Sequence, residues 1–298
     1  MGLGLGLGIW WSTQTSIIPG LLKLLEARAD YFENKICTTA TLKEIAAVRY
    51  TPPPPPGLLL EDYPGASAAY SLRNLIDTTT SVVRVRRSSD NAEQDFTSAE
   101  ITDGTLATFC SGTDGFVAIW YDQSGNSNNA AQTAALTQPK IVSNGNITLL
   151  NGKPYLISST TNHMVKNYER PSYAFCVVEF NDLFGGSSIR TVFGSGGGGL
   201  RYVSGNIKSN DGYDYVYQEN VWYSNNVLTN PFPKNQLTLI SAKKGTSYSF
   251  GSSNSKILNS TSNRGVGGYV SEIILYPTDQ SANRAGIETN INTEYTIY

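Results

Sequence analysis

From Tyr63 to Tyr298 the chain is a succession of short apolar or alternating runs, each broken within a few residues by Gly, Asn, Asp or Pro. VVRVRR at 82–87, GFVAIWYD at 115–122, KPYLIS at 153–158, YAFCVVEF at 173–180, QLTLISAKK at 236–244 and YVSEIILYP at 269–277 set the pattern. Runs this short, bounded by turn formers and rich in β-branched and aromatic residues, read as strands. So many of them in one stretch point to an all-β fold built as a two-sheet jelly-roll sandwich. Two helical pieces interrupt it: AAYSLRNLI at 68–76, with Tyr70, Leu72, Leu75 and Ile76 as a compact apolar set, and the closing SANRAGIETNINTEYTIY.

Composition narrows the function classes. Charged residues make up only 15% and the net charge is −2, so no basic field is available for nucleic acid or an anionic membrane. The three cysteines, Cys37, Cys110 and Cys176, are too few and scattered for a disulfide framework or a thiolate metal site. The one histidine, His163 in TTNHMVKN, excludes a multi-His zinc site and reads as a loop residue, not a base. No metal and no cofactor are expected. MGLGLGLGIWW lacks the basic start of an export signal, and no run approaches the ~20 apolar residues of a membrane span.

Ahead of the sandwich the periodicity changes twice. Leu3, Leu5, Leu7 and Ile9 alternate with glycine, a strand-like arm that ends in Trp10 and Trp11 and suits anchoring against a partner's sheet. Ile18, Leu22, Leu25, Ala29, Phe32 and Ile36 then recur at 4-3-4-3-4, a short helical seam for self-association or for packing on its own domain. Five prolines, Pro52–Pro56, form a stiff extended spacer of roughly 3 Å per residue. The expected organisation is an anchoring and oligomerising region at 1–50, a proline-rich linker at 51–63 and the β-sandwich at 64–298.

Three clusters could carry chemistry. Arg84, Arg86 and Arg87 lie near Asp90, Glu93 and Asp95, either as a carbohydrate or cation site or as a solvated, self-neutralised turn; alternation turns Val83 and Val85 inward and Arg84 and Arg86 outward. Asp122 opens a DQSGN turn in which its carboxylate bonds backbone amides and Gly125 takes a positive φ. Tyr213, Tyr215, Tyr217, Glu219, Trp222, Tyr223 and Asn225 interleave aromatic rings with polar groups, the chemistry of a sugar-binding surface.

The Val82–Ala131 block, with its strand ending in Tyr-Asp-Gln-Ser-Gly-Asn, resembles the catalytic β-sandwich of the fungal α-L-arabinofuranosidase B family. The YVSEIILYP run is similar to the closing strand of concanavalin A-like and laminin-G-like domains. The first resemblance implies a nucleophile at Glu219, in Tyr217-Gln218-Glu219-Asn220-Val221, which matches the family's Met-Glu-Asn-Asn-Leu segment. It implies a proton-donating aspartate after a Gly-Gly pair, but here Gly267-Gly268 is followed by Tyr269. The family's cysteine pairings and its arabinose-binding β-trefoil have no counterpart. On that ground the expectation is that the chain is not an enzyme and has no catalytic residues, with an arabinofuranosidase-like hydrolase of arabinose-containing polysaccharide, Glu219 its nucleophile, as the alternative.

The order of arm, seam, proline rod and sandwich resembles structural proteins of tailed bacteriophages, including those of Bacteroidetes hosts and crAss-like phages. That resemblance implies a virion fibre or decoration subunit, anchored by residues 1–50 and displaying the sandwich. Its implied partners are itself, as a homotrimer, other virion proteins of capsid or tail, and a host-surface or environmental glycan.

Overall fold

The computed structural model describes residues 57–165, 171–181, 189–195, 198–203, 206–209, 213–217, 221–223, 235–244, 256–259 and 264–298. The anchoring positions Leu3, Leu5, Leu7, Ile9, Trp10 and Trp11, the seam Ile18, Leu22, Leu25, Ala29, Phe32 and Ile36, and Glu219 and Asn225 lie outside the described residues. With them lies the ground for a virion role.

The strands are β1 (Ala68–Ser71), β2 (Val83–Arg87), β3 (Glu93–Phe96), β4 (Gly115–Trp120), β5 (Ala130–Ala131), β6 (Lys140–Ser143), β7 (Asn146–Ile147), β8 (Leu149–Leu150), β9 (Lys153–Pro154) and β10 (Leu156–Ser158). They continue as β11 (Met164–Val165), β12 (Tyr173–Phe180), β13 (Ile189–Ser195), β14 (Gly198–Val203), β15 (Asn206–Ser209), β16 (Tyr213–Tyr217), β17 (Val221–Tyr223), β18 (Thr238–Lys244), β19 (Lys256–Ile257) and β20 (Gly268–Tyr276). Four short helices complete the described fold: α1 (Leu59–Asp62), α2 (Ser98–Thr102), α3 (Thr105–Phe109) and α4 (Arg284–Tyr295).

The fold is an all-β sandwich whose described strand pairings are all antiparallel. At its centre β12 runs between β18 and β20. One edge of β20 is shared by β1 and β10, and from β10 the hydrogen bonding passes to β6, β4, β2 and β3 in turn. The main core fills the space inside with Val83, Val85, Val117, Trp120, Leu156, Ala174, Cys176, Val178, Val270 and Ile273. Each Val, Leu or Ile among them contributes roughly 1.5–3 kcal/mol on leaving water.

A second core lies on the opposite face of β12 and β20. There Tyr173, Phe175, Val177, Ile274 and Tyr276 meet Leu59 and Leu60 of α1 and Ile287, Ile291 and Tyr295 of α4. Because both faces of β12 are covered, all eight of its residues are buried, and its sequence reads as an apolar run without alternation.

Local sequence explains the punctuation. Thr97 and Glu100 form a reciprocal capping box that starts α2. The AAYSLRNLI run is a correction to the helical reading: residues 68–71 form β1, held to β20 from Ala68↔Leu275 to Ser71↔Glu272. Its 3–4 apolar spacing arises because Ala69 and Leu75 join the outer core while Tyr70 and Leu72 join the inner one. The closing segment is helical as its pattern predicts.

Candidate functional site

The DQSGN turn is structural. Asp122 Oδ1 accepts from Ala69 N at 2.8 Å and Ser124 N at 2.9 Å, and Oδ2 accepts from Ser124 Oγ and Asn128 N, both at 2.8 Å. Asn126 and Asn128 donate to the carbonyls of Ala66 and Ser67, and Gln123 ties the turn to Ser71, Arg73 and Leu75. Gly125 has φ +83°. The turn's polar groups are directed at the chain itself and fasten β4 to β1.

The arginine cluster divides. Arg84 and Arg87 form bidentate pairs with Asp95 and Asp90, the self-neutralised arrangement. Arg86 differs. It points to the outer face as alternation predicts, yet is only 9% exposed, because residues 135–138 fold over it. Its guanidinium donates to Gln138 Oε1 and Asn91 Oδ1, both at 2.8 Å, and to the Ala135 carbonyl at 3.5 Å.

Strand register carries Arg86 into a longer pattern. It pairs with Phe116, Phe116 with Lys140, Lys140 with Ile157, Ile157 with Tyr269, and Tyr269 with Glu179. Paired residues on neighbouring antiparallel strands project to the same face. Their sequence neighbours Val85, Val117, Leu156, Val270 and Val178 all lie in the inner core, so this row faces outward. Five strand spacings of ~4.8 Å make the row about 24 Å long. At its Arg86 end a groove of about 540 Å³ is bounded by Phe116, Lys140, Ile157, Leu136, Gln138 and Asn162.

At the other end of the row stands Glu179, 7% exposed. Burial pushes its carboxyl above the ordinary glutamate value, an effect that the neighbouring Asn181 side chain opposes. Among the described residues no cation forms an ion pair with it. Tyr269, its registered partner, packs on Tyr155 with ring centroids 4.4 Å apart. Phe180 pairs with Gly268, where a Cβ would run into the Glu179 carbonyl, so glycine is required for the strands to approach. Gly267, at φ +57°, is held by Arg190, whose guanidinium also donates to the Asn181 carbonyl. A buried carboxyl thus sits beside the Gly-Gly pair that, by sequence, lacks a following aspartate. Reading the sequence strand by strand missed it; the one signal is an acidic residue closing an otherwise apolar strand.

Of the tyrosine-rich candidates, Tyr213, Tyr215 and Tyr217 lie on β16 and Trp222 and Tyr223 on β17. The hairpin pairs Tyr215 with Tyr223 and Val216 with Trp222, and β16 borders β18, next to the strand of Glu179. His163 is a loop residue; its Nδ1 lies 3.2 Å from the Thr161 carbonyl, and burial lowers its pKa. Among the described residues no three His, Cys, Asp or Glu side chains gather as metal ligands.

No family model and no curated protein matches the chain. Among solved structures it is similar to a GH54 α-L-arabinofuranosidase soaked with a cyclic sulfate inhibitor, with a TM-score of 0.42 and 17% identity over 76% of this chain. A glutamate-to-glutamine mutant of a GH54 α-L-arabinofuranosidase, soaked with 4-nitrophenyl α-L-arabinofuranoside, gives the same values. An arabinofuranosidase complexed with arabinofuranosyl-α-1,2-xylobiose has a TM-score of 0.39 at 17% identity. The chain spans 62% of the length of each. The expectation of a non-enzyme is corrected to this extent: each of these neighbours is an arabinofuranosidase, and the likeness is one of fold.

Proposed function

We propose that the sandwich is an arabinofuranosidase-like glycoside hydrolase acting on arabinose-containing polysaccharide, with Glu179 as proton donor and Glu219 as nucleophile. The observation that carries this reading is the Glu179 carboxyl, buried, without an ion-pair partner among the described residues, and one registered pair from the Gly267-Gly268 turn. A general acid has to hold its proton near working pH, and burial favours the protonated form. The nucleophile rests on the sequence resemblance around Glu219. Two carboxyl groups, one protonated and one ionised, are what glycosidic cleavage requires.

The test compares two leaving groups. Wild-type protein should hydrolyse both 4-nitrophenyl α-L-arabinofuranoside and an arabinofuranosyl-xylobiose. Glu179→Gln should slow the sugar-linked substrate by ~10²–10⁴ and the nitrophenyl substrate much less, since nitrophenolate leaves without a proton. Glu219→Gln should abolish both. Failure of the wild type to turn over either substrate overturns the reading.

A further inference from the structure

The groove at the Arg86 end of the row is chemically unlike the Glu179 end. Among the described residues its lining carries two cations, Arg86 and Lys140, and no carboxylate. Both lie over the Phe116 ring, the Arg86 guanidinium carbon 5.1 Å and Lys140 Nζ 5.5 Å from its centroid. Three hydrogen bonds to Gln138, Asn91 and Ala135 fix the guanidinium in place, and two of its five N–H donors have no acceptor among the described residues. Lys140 spends one proton on Asp114 at 2.7 Å, outside the lining, and keeps two. At the rim Leu136 is 94% exposed, the most exposed of the large apolar side chains among the described residues. A volume of about 540 Å³ falls in the ~300–1,000 Å³ range of small-ligand sites.

An occupant must therefore offer a carboxylate or similar anion to preorganised donors and an apolar flank to Phe116, Ile157 and Leu136. A neutral sugar would leave the charge of Arg86, bonded only to neutral acceptors among the described residues, unmet, and a simple inorganic anion would leave Leu136 uncovered. Resting on the glycan-acting reading above, we infer that the Arg86–Lys140 groove is a subsite for a uronic acid residue of an acidic polysaccharide. The cross-strand row then runs from that anchored acidic sugar toward Glu179. It makes the preferred substrate a polymer bearing uronic acid as well as arabinose.

Calorimetric titration of the full chain with tri-galacturonate and with the neutral tri-galactoside tests this directly. The acidic trisaccharide should bind at least about tenfold more tightly, and the difference should shrink as salt rises. Lys140→Gln should cost about tenfold in affinity for the acidic ligand and leave the neutral one unchanged. Leu136→Asp, at a side chain too exposed to affect folding, should cost a similar factor by placing a carboxylate at the rim. Equal affinity for the two sugars, no binding of either, or indifference to both substitutions overturns the inference. Arabinofuranoside turnover is read separately: turnover without acidic-sugar selectivity removes the subsite alone, and selectivity without turnover removes the hydrolase reading alone.

Discussion

Two glutamates on neighbouring strands, Glu272 on β20 and Glu179 on β12, are both buried, and their surroundings are opposite. Glu272 receives Ser71 Oγ at 2.7 Å, Arg73 Nε at 2.9 Å, Arg73 Nη2 at 3.1 Å and Tyr295 Oη at 3.1 Å. Arg73 is held in turn by Asn290 of α4. Glu179 has the Asn181 side chain near it and no ion-pair partner among the described residues. The cover explains the difference: α4 lies over the Glu272 half of the sheet face and brings Tyr295 and Asn290, whereas at Glu179 the face carries Tyr269 and Tyr155. A carboxyl with its full set of donors is fastened and serves the fold. One that is desolvated without them is poised to hold a proton, which is why the second is the candidate acid.

The sharpest way to break this contrast is to remove the fastened carboxyl. Glu272→Ala leaves the Arg73 guanidinium, whose side chain is 18% exposed, without its counter-charge and strips Ser71 and Tyr295 of their acceptor. The expected loss is about 3–5 kcal/mol, measured by urea denaturation. A loss below about 1 kcal/mol would mean that Glu272 is no more structural than Glu179.

A smaller effect belongs to the other fastened carboxylate, Asp122. Asp122→Ala deletes four accepted hydrogen bonds in a half-buried turn, for an expected cost of about 2–3 kcal/mol in the same measurement. Turnover of a nitrophenyl arabinofuranoside by the surviving folded fraction should be unchanged. A selective loss of turnover at full stability would move the turn from scaffold to site.

How much of this was legible in the residues follows the range of the interactions. The strands were, because alternation and turn formers are local; so were the local bonds of the Asp122 turn and the self-neutralised arginine turn, whereas the bonds of Asp122, Asn126 and Asn128 to residues 66–69 were not. Arg86 read as outward and is outward, but its burial under residues 135–138 depends on a contact some fifty positions away. The 68–76 run misled because Tyr70 and Leu75 serve different cores, and their spacing imitates one helical face. The row from Arg86 to Glu179 was beyond sequence reasoning altogether. It exists only through the registers of six strands, including shifts at Val177/Val178 and Gly115/Phe116 that no alternation count supplies.

The smallest expected effect on stability is the most discriminating, because it concerns sign. Glu179 has its folded-state pKa raised by burial, so the folded protein binds the proton more tightly than the unfolded chain. The group's contribution is then most favourable at low pH and is lost as pH rises from the ordinary glutamate value through the raised one. Glu179→Gln, uncharged throughout, should remove that part of the pH dependence: its Tm should match the wild type near pH 4 and exceed it above neutrality. Glu272→Gln, at the carboxylate paired with Arg73, removes half of a buried ion pair and should lower Tm. Thermal melts of both variants across pH 4–8 put the two carboxyls side by side. If Glu179→Gln instead lowers Tm at neutral pH, its carboxylate is as well supported as that of Glu272 and is not the proton donor.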